Sequence, residues 1–243
     1  MVTDPRKKAI LFHIARYQVT LRPVLYRLFP ESEKAGIDKA VDALVREKLI
    51  AAQRNGVREP EDPQTRYTYY HLTAKGCSVI GAPESRHETP GPEALERSLA
   101  ILWLCSMTRV PSYRVSSVEL AELLVLEHRR EESLQRITKH VSGFHCITRR
   151  EDGTFRIQHL YYSTASPSGT LSELRGRIEK ARRVGAVARA IDADEYGFTI
   201  LVSSPERTKA LRQANAKLSH SERLEFNVRC SPRTWRLPDT SHD

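Results

Sequence analysis

Residues 66–76 read RYTYYHLTAKG, from Arg66 to Gly76. Aromatic side chains stand at Tyr67, Tyr69 and Tyr70, and the run stops at Lys75-Gly76. Aromatic and β-branched residues in alternation mark a strand. On that reading Tyr67, Tyr69 and His71 share one face, and Thr68, Tyr70 and Leu72 share the other. Just upstream, Leu49–Gln53 reads as a second strand, and Asn55-Gly56 opens a proline-containing loop, so the two strands make a hairpin. Leu72-Thr73-x-Lys75-Gly76 closes it, with Gly76 expected to supply the turn.

Three helices are predicted before this hairpin. Asp4-Pro5 starts the first, with Asp as N-cap and Pro in the first turn, and Ile10, Leu11 and Ile14 recur at helical spacing toward Tyr17. Thr20 is expected to cap a short second helix that buries Val24, Leu25 and Leu28 and ends before Pro30. Ser32 is expected to cap the third, with Ile37, Val41, Leu44 and Val45 inward and Lys34, Asp38, Lys39, Asp42 and Arg46 outward.

Three short helices leading into a hairpin predict a winged helix-turn-helix over residues 1–80. In such a module the third helix enters the DNA major groove and the hairpin reaches the flanking backbone. One face of the return strand would pack on the third helix while the other lies near DNA. Lys34, Lys39 and Arg46 on the helix, and Arg54, Arg58 and Arg66 around the hairpin loop, are therefore the candidate DNA contacts. Asp38, Asp42, Glu59, Glu61 and Asp62 dilute this charge, which leaves protein contact as the module's alternative role.

Composition agrees with a polyanion partner. Lys plus Arg number 39 against 30 Asp plus Glu, a formal net charge of +9. Basic side chains release counterions from a phosphate backbone. Cys77, Cys105, Cys146 and Cys230 are widely spaced and form no CxxC, which favours a reducing cytoplasm over a disulfide framework. The apolar run 99–105 is too short to span a bilayer, so no membrane partner is expected.

Gly81–Pro92, GAPESRHETPGP, reads as a linker. Residues 93–243 form a second domain, comprising a helical connector over 93–140 and a mixed sheet over 141–243. Pro92–Met107 is an apolar helix, and Ser116-x-x-Glu119 is the capping box of another. Phe144–Arg149 and Phe155–Ser163 flank Glu151-Asp152-Gly153 as a hairpin. Thr170-x-x-Glu173 is expected to cap a long helix to about Ile191. Phe198–Ser203 is a buried strand, Ser204-Pro205 starts a helix to about Leu218, and Leu224–Cys230 is a last strand. The fold class is thus α/β, of mixed α+β character, with helices on a small mixed sheet.

The run YYHLTAKG after ALVREKLI resembles the wing of MarR-like and PadR-like repressors. Together with LERSLAILWLC and FTILVSSPERTKALRQA, the whole chain resembles the replication-relaxation family of plasmid and mobile-element proteins. That resemblance implies a second domain related to the PD-(D/E)XK restriction-endonuclease fold.

A nuclease of that fold holds Mg²⁺ on strand carboxylates and steadies water with a Lys. The corresponding stretch here, FRIQHLYYSTAS at 155–166, has neither a carboxylate nor a Lys, and Asp152, Asp192, Asp194 and Glu195 lack the spacing to replace them. A two-residue Asp152-Gly153 turn would set Cys146 opposite His159, a zinc pair without two further ligands. No catalytic residue, metal ligand or cofactor is therefore assigned. The helix after Thr170 carries Arg175, Arg177, Lys180, Arg182, Arg183 and Arg189, of which Arg175, Lys180, Arg182 and Arg183 are candidate phosphate contacts; Glu173 and Glu179 could instead pair with Arg177 and Arg183.

The expected function is a non-enzymatic, cytoplasmic protein that binds double-stranded DNA in plasmid or mobile-element replication or in transcriptional control. One alternative is a dimeric repressor whose second domain dimerises or senses a ligand. Another is a divergent metal-dependent nuclease.

Overall fold

The computed structural model describes residues 4–54, 67–110, 112–128, 134–150 and 152–231. The protein is mixed α/β and divides after Met107 into two compact units. Among the described residues, no helix is long and apolar enough to cross a membrane, and all four cysteines are free thiols.

In the first unit α1 (Pro5–Tyr17) starts where expected, because the Asp4 carboxylate accepts from the Arg6 and Lys7 amides. The next helices are α2 (Arg22–Leu28) and α3 (Lys34–Arg46), followed by the antiparallel strands β1 (Ile50–Arg54) and β2 (Thr68–Leu72). Ile10, Leu11 and Ile14 of α1, Leu25 of α2, Ile37, Val41 and Leu44 of α3, and Tyr70 and Leu72 of β2 fill one core.

Two expected caps do other work. Thr20 exchanges backbone hydrogen bonds with Tyr70 at 2.9 Å each way, and its hydroxyl sits 3.0 Å from His13 Nε2. It extends the sheet by one rung instead of capping α2, whose start relies on Pro23. Ser32 lies outside α3, where Glu33 holds the cap position without a side-chain bond.

The chain after β2 folds back on the hairpin. Thr73 caps α4 (Ala74–Ile80), accepting from the Gly76 amide at 3.0 Å, and donates to the Lys48 carbonyl at 2.7 Å. Gly76 is therefore helical, not the turn residue expected. Its lack of a Cβ is still required, because one added there would overlap the Leu49 carbonyl oxygen. Gly81, at φ 67°, supplies the left-handed end of α4.

Residues 81–92 include a 3-10 turn, Glu84–His87, packed against β2 and α4. Gln53 reaches across to the Thr89 hydroxyl at 3.2 Å and also accepts from Tyr69. In consequence both faces of β2 are covered: Tyr69, Tyr70, His71 and Leu72 are all buried. The expectation of an open aromatic face thus fails, because the stretch read as a linker lies over it. Helix α5 (Pro92–Met107), expected with the second domain, belongs to this first unit.

The second unit carries a five-stranded sheet in the order β3-β4-β5-β6-β7. These strands are Ser112–Val115, Phe144–Arg149, Phe155–Tyr162, Tyr196–Val202 and Asn227–Cys230. The first three are antiparallel neighbours, while β6 runs parallel to both β5 and β7. All residues of β6 are buried, as an apolar strand between parallel neighbours requires. Helices α6 (Ser117–His128), α7 (Leu134–His140), α8 (Pro167–Arg182), α9 (Gly185–Asp192) and α10 (Pro205–Ala216) flank the sheet. The expected capping box of α6 is present, with Ser116 N donating to Glu119 at 2.7 Å and Glu119 N to the Ser116 hydroxyl at 3.2 Å.

Three readings are corrected in this unit. The connector is not wholly helical, since Ser112–Val115 pairs with β4 as an edge strand. The long helix starts at Pro167 under a Ser166 cap, because the Thr170 hydroxyl is buried against Ser163 at 2.7 Å. It also ends at Arg182: extended backbone at Val184 turns Val187 and Ala190 of α9 into the core.

The hairpin register is the third correction. Arg150 N donates to the Thr154 carbonyl at 2.8 Å, with Gly153 at φ 85°. The loop is one residue longer than expected, so His159 faces His145, and Cys146 faces Gln158. The Cys/His pair considered for zinc does not form.

His145 and His159 instead converge on the buried Tyr196 hydroxyl, at 2.9 Å from Nε2 and 3.2 Å from Nδ1 respectively. The hydroxyl has one proton, so it donates to one ring and accepts from the other. Burial, and then the nearby Arg177, lowers the His159 pKa to about 4. Burial, and then His159 itself, drives His145 well below its ordinary value.

Two expected outcomes follow from this packing. Gly→Ala inside a helix ordinarily gains about 0.5–1 kcal/mol, and Gly176→Ala, where an added Cβ meets nothing within 4 Å, should do so. Gly76→Ala should instead cost about 2 kcal/mol or more through overlap with Leu49. Opposite shifts in urea midpoint are the check.

The histidines set an acid limit. Because folded His159 titrates near 4 and the unfolded imidazole near 6.5, protons favour the unfolded chain as pH falls through that window, by about 3 kcal/mol in all. His13, lowered by burial to about 4, acts with the same sign. Depressed carboxylates such as Asp38 add acid sensitivity only lower down. His159→Phe should therefore lose less stability than the parent between about pH 6.5 and 4.5; equal losses in chemical denaturation would contradict this account of the cluster.

Candidate nucleic-acid interface

On α3 the positions 35, 39, 42 and 46 fall on one exposed stripe, as helical periodicity requires. Lys39 and Arg46 share it with Ala35 and Asp42, while Lys34 sits on its flank with Nζ 5.9 Å from the Tyr26 ring centroid. Arg54 is exposed at the end of β1. Arg58 and Arg66 lie outside the described residues.

The acidic residues on α3 are tied down by one arginine that the sequence reading did not single out. Arg22, the first residue of α2, pairs with Asp38 and, at 2.6 Å, with Asp42. Its Nε donates to the Tyr70 hydroxyl at 2.8 Å. Tyr26 donates to Asp38 at 2.7 Å. That bond, with help from Arg22, holds the Asp38 carboxyl below its ordinary pKa. Lys39 and Arg46 have no hydrogen-bond or ion-pair partner among the described residues. The stripe, with two cations and one acid, is net positive by composition, and Arg22 engages its one acid. An Asp pair at i and i+4 is the signal in the sequence that a cation from elsewhere must face that side.

Framework contacts hold α3 against its neighbours. Lys7 of α1 pairs with Glu47 at 2.6 Å, and Lys75 of α4 donates to the Glu47 carbonyl at 3.0 Å. The Arg6 guanidinium lies where a Cβ on Gly36 would sit, which places another cation beside the start of α3.

In the second unit the candidate basic residues of α8 have different surroundings. Arg175 donates to the Glu222 carbonyl at 3.2 Å, and Arg182 pairs with Asp192 at 2.8 Å. Arg177 pairs with Glu173 at 2.8 Å, as the ion-pair alternative held, and covers the Tyr161 ring at 4.5 Å. Lys180 and Arg183 remain exposed. Two of the four candidates are thus engaged by this unit's own groups.

The acidic residues near the sheet also have structural partners. Asp194, at φ 58°, pairs with Arg150 at 3.0 Å and Arg156 at 2.6 Å, anchoring the loop before β6 to the β4–β5 hairpin. Asp152 accepts from the Thr154 amide at 2.9 Å and its hydroxyl at 2.6 Å within the turn. Among the described residues, no three His, Cys, Asp or Glu side chains are grouped to hold a metal ion. No family model, no curated protein and no solved structure matches this chain.

Proposed function

We propose that the protein is a non-enzymatic DNA-binding protein whose first unit is a winged helix-turn-helix, with α3 as the groove helix and β1–β2 as the wing. The observation that carries this reading is the α3 stripe, where Arg22 pairs with both Asp38 and Asp42 and leaves Lys39 and Arg46 without a partner among the described residues. Duplex DNA is the partner such a stripe suits, with Arg54 and the unplaced Arg58 and Arg66 as contacts to the flanking backbone.

The second unit reads as a restriction-endonuclease-like sheet that has lost its metal ligands. Three antiparallel strands followed by a helical crossover to a parallel strand support the likeness. Residues 155–162 of β5 contain no Asp, Glu or Lys. A role in plasmid or mobile-element replication or in transcriptional control, in a reducing cytoplasm, follows from the resemblance to the replication-relaxation family.

A dimeric repressor is the second reading, favoured by one observation. Strand β3 is a sheet edge and carries exposed Tyr113, with exposed Val118 just after it. Unpaired edges with exposed apolar side chains invite pairing with a second copy.

Duplex binding by the full chain should weaken steeply between about 50 and 200 mM salt. Lys39→Ala, Arg46→Ala and Arg54→Ala should each weaken it and lower the salt slope by about one unit. Fluorescence anisotropy with random and operator-like duplexes measures this. Salt-independent binding, or none, would make the first unit a protein-contact module. Incubation with Mg²⁺ or Mn²⁺ should leave single- and double-stranded substrates uncut; cleavage lost on Asp194→Asn would establish the nuclease alternative.

A further inference from the structure

A second basic cluster lies in the second unit, away from α8. Arg212 of α10, Arg223 of the following loop and Arg229 of β7 line one cleft of 390 Å³, together with Asn215, Phe226 and Asn227. No Asp or Glu is among its lining residues. Three arginines from three segments line it, and among the described residues no acidic side chain in the wall offsets their charge. Such a site is completed by an anion, and arginine's planar fork suits a phosphate in particular.

Part of the wall is held by the protein's own hydrogen bonds. Asn215 locks the loop to α10, its amide donating to the Leu224 carbonyl and its oxygen accepting from the Leu224 amide, each at 3.0 Å. Arg223 is held by the carbonyls of Leu218 at 3.2 Å and Ala216 at 3.0 Å. Closing the end of α10 accounts for that arginine by itself. It does not account for Arg212 and Arg229, which are exposed and make no hydrogen bond or ion pair among the described residues.

We propose that this cleft binds the phosphate of a nucleotide, either free or as part of a single nucleic-acid strand. Its volume falls in the range that holds a small ligand. Asn227 and Phe226 line the same cleft, an amide and an aromatic side chain of the kinds that contact sugars and bases. The proposal deepens the DNA-binding reading by adding a strand or nucleotide site distinct from α3, and it stands or falls separately.

The test uses the full chain with fluorescein-labelled oligothymidylate, and with ATP and inorganic phosphate as competitors. The double variant Arg212→Ala/Arg229→Ala removes no hydrogen bond or ion pair among the described residues and should keep the parent's thermal unfolding profile. It is expected to weaken oligothymidylate binding by about tenfold or more. Lys39→Ala/Arg46→Ala should leave that binding within about twofold while reducing duplex binding. Competition by ATP at low concentration assigns the site to a free nucleotide, and resistance to it assigns the site to a strand; either supports the proposal. Equal binding by the parent and the Arg212/Arg229 variant, or no binding of any phosphate probe by the parent, overturns it. Duplex binding through α3 could persist in either case, so the two readings fail independently.

Discussion

The Arg22 guanidinium joins three elements of the first unit. It reaches the Tyr70 hydroxyl on β2, Asp38 and Asp42 on α3, and stands at the start of α2. Exposed ion pairs taken singly contribute little. Here one planar group satisfies a strand hydroxyl and two carboxylates one helical turn apart, so a single set of donors links α2, α3 and the sheet. The arrangement also makes the exposed α3 stripe more positive, because Arg22 engages Asp42. Without Arg22, Asp42 would cancel one of the two cations at positions 39 and 46.

Local signals were legible where the side chain's best partner was its own helix end. Asp4, the Ser116–Glu119 box and Ser204 all cap as their spacing indicates. Thr20 and Thr170 fit the same rule by sequence yet do not cap, because each has a buried tertiary partner, Tyr70 and His13 for one and Ser163 for the other. A hydroxyl bonded in the core gains more than one capping at the surface, and nothing in the local pattern reveals that partner. Gly76 was read for φ freedom when its constraint is a close approach by Leu49, a residue far away in sequence.

The site was legible to a similar degree. Periodicity puts Lys39 and Arg46 on one outward stripe, as they stand. The charge of that stripe depends on Arg22, which periodicity could not connect to Asp38 and Asp42. Counting the β4–β5 loop one residue short exchanged Cys146 for His145 opposite His159, since a one-residue slip carries the next side chain into place. What looked like half a zinc site is a neutral polar cluster around Tyr196. Likewise the arginines of α8 look continuous in sequence, but Arg175, Arg177 and Arg182 are taken up by carbonyl or carboxylate partners.

The difference between α8 and the cleft at β7 is one of acidic supply. Around α8, Glu173 and Asp192 lie within reach, so Arg177 and Arg182 close on carboxylates already in the fold. At the cleft, among the described residues, main-chain carbonyls orient Arg223 without neutralising it. Carbonyl bonds leave the full charge in place and remove much of the rotamer freedom a ligand would otherwise have to quench. The density of arginines along a helix is therefore a poorer guide to an anion site than the scarcity of acids around cations drawn from separate segments.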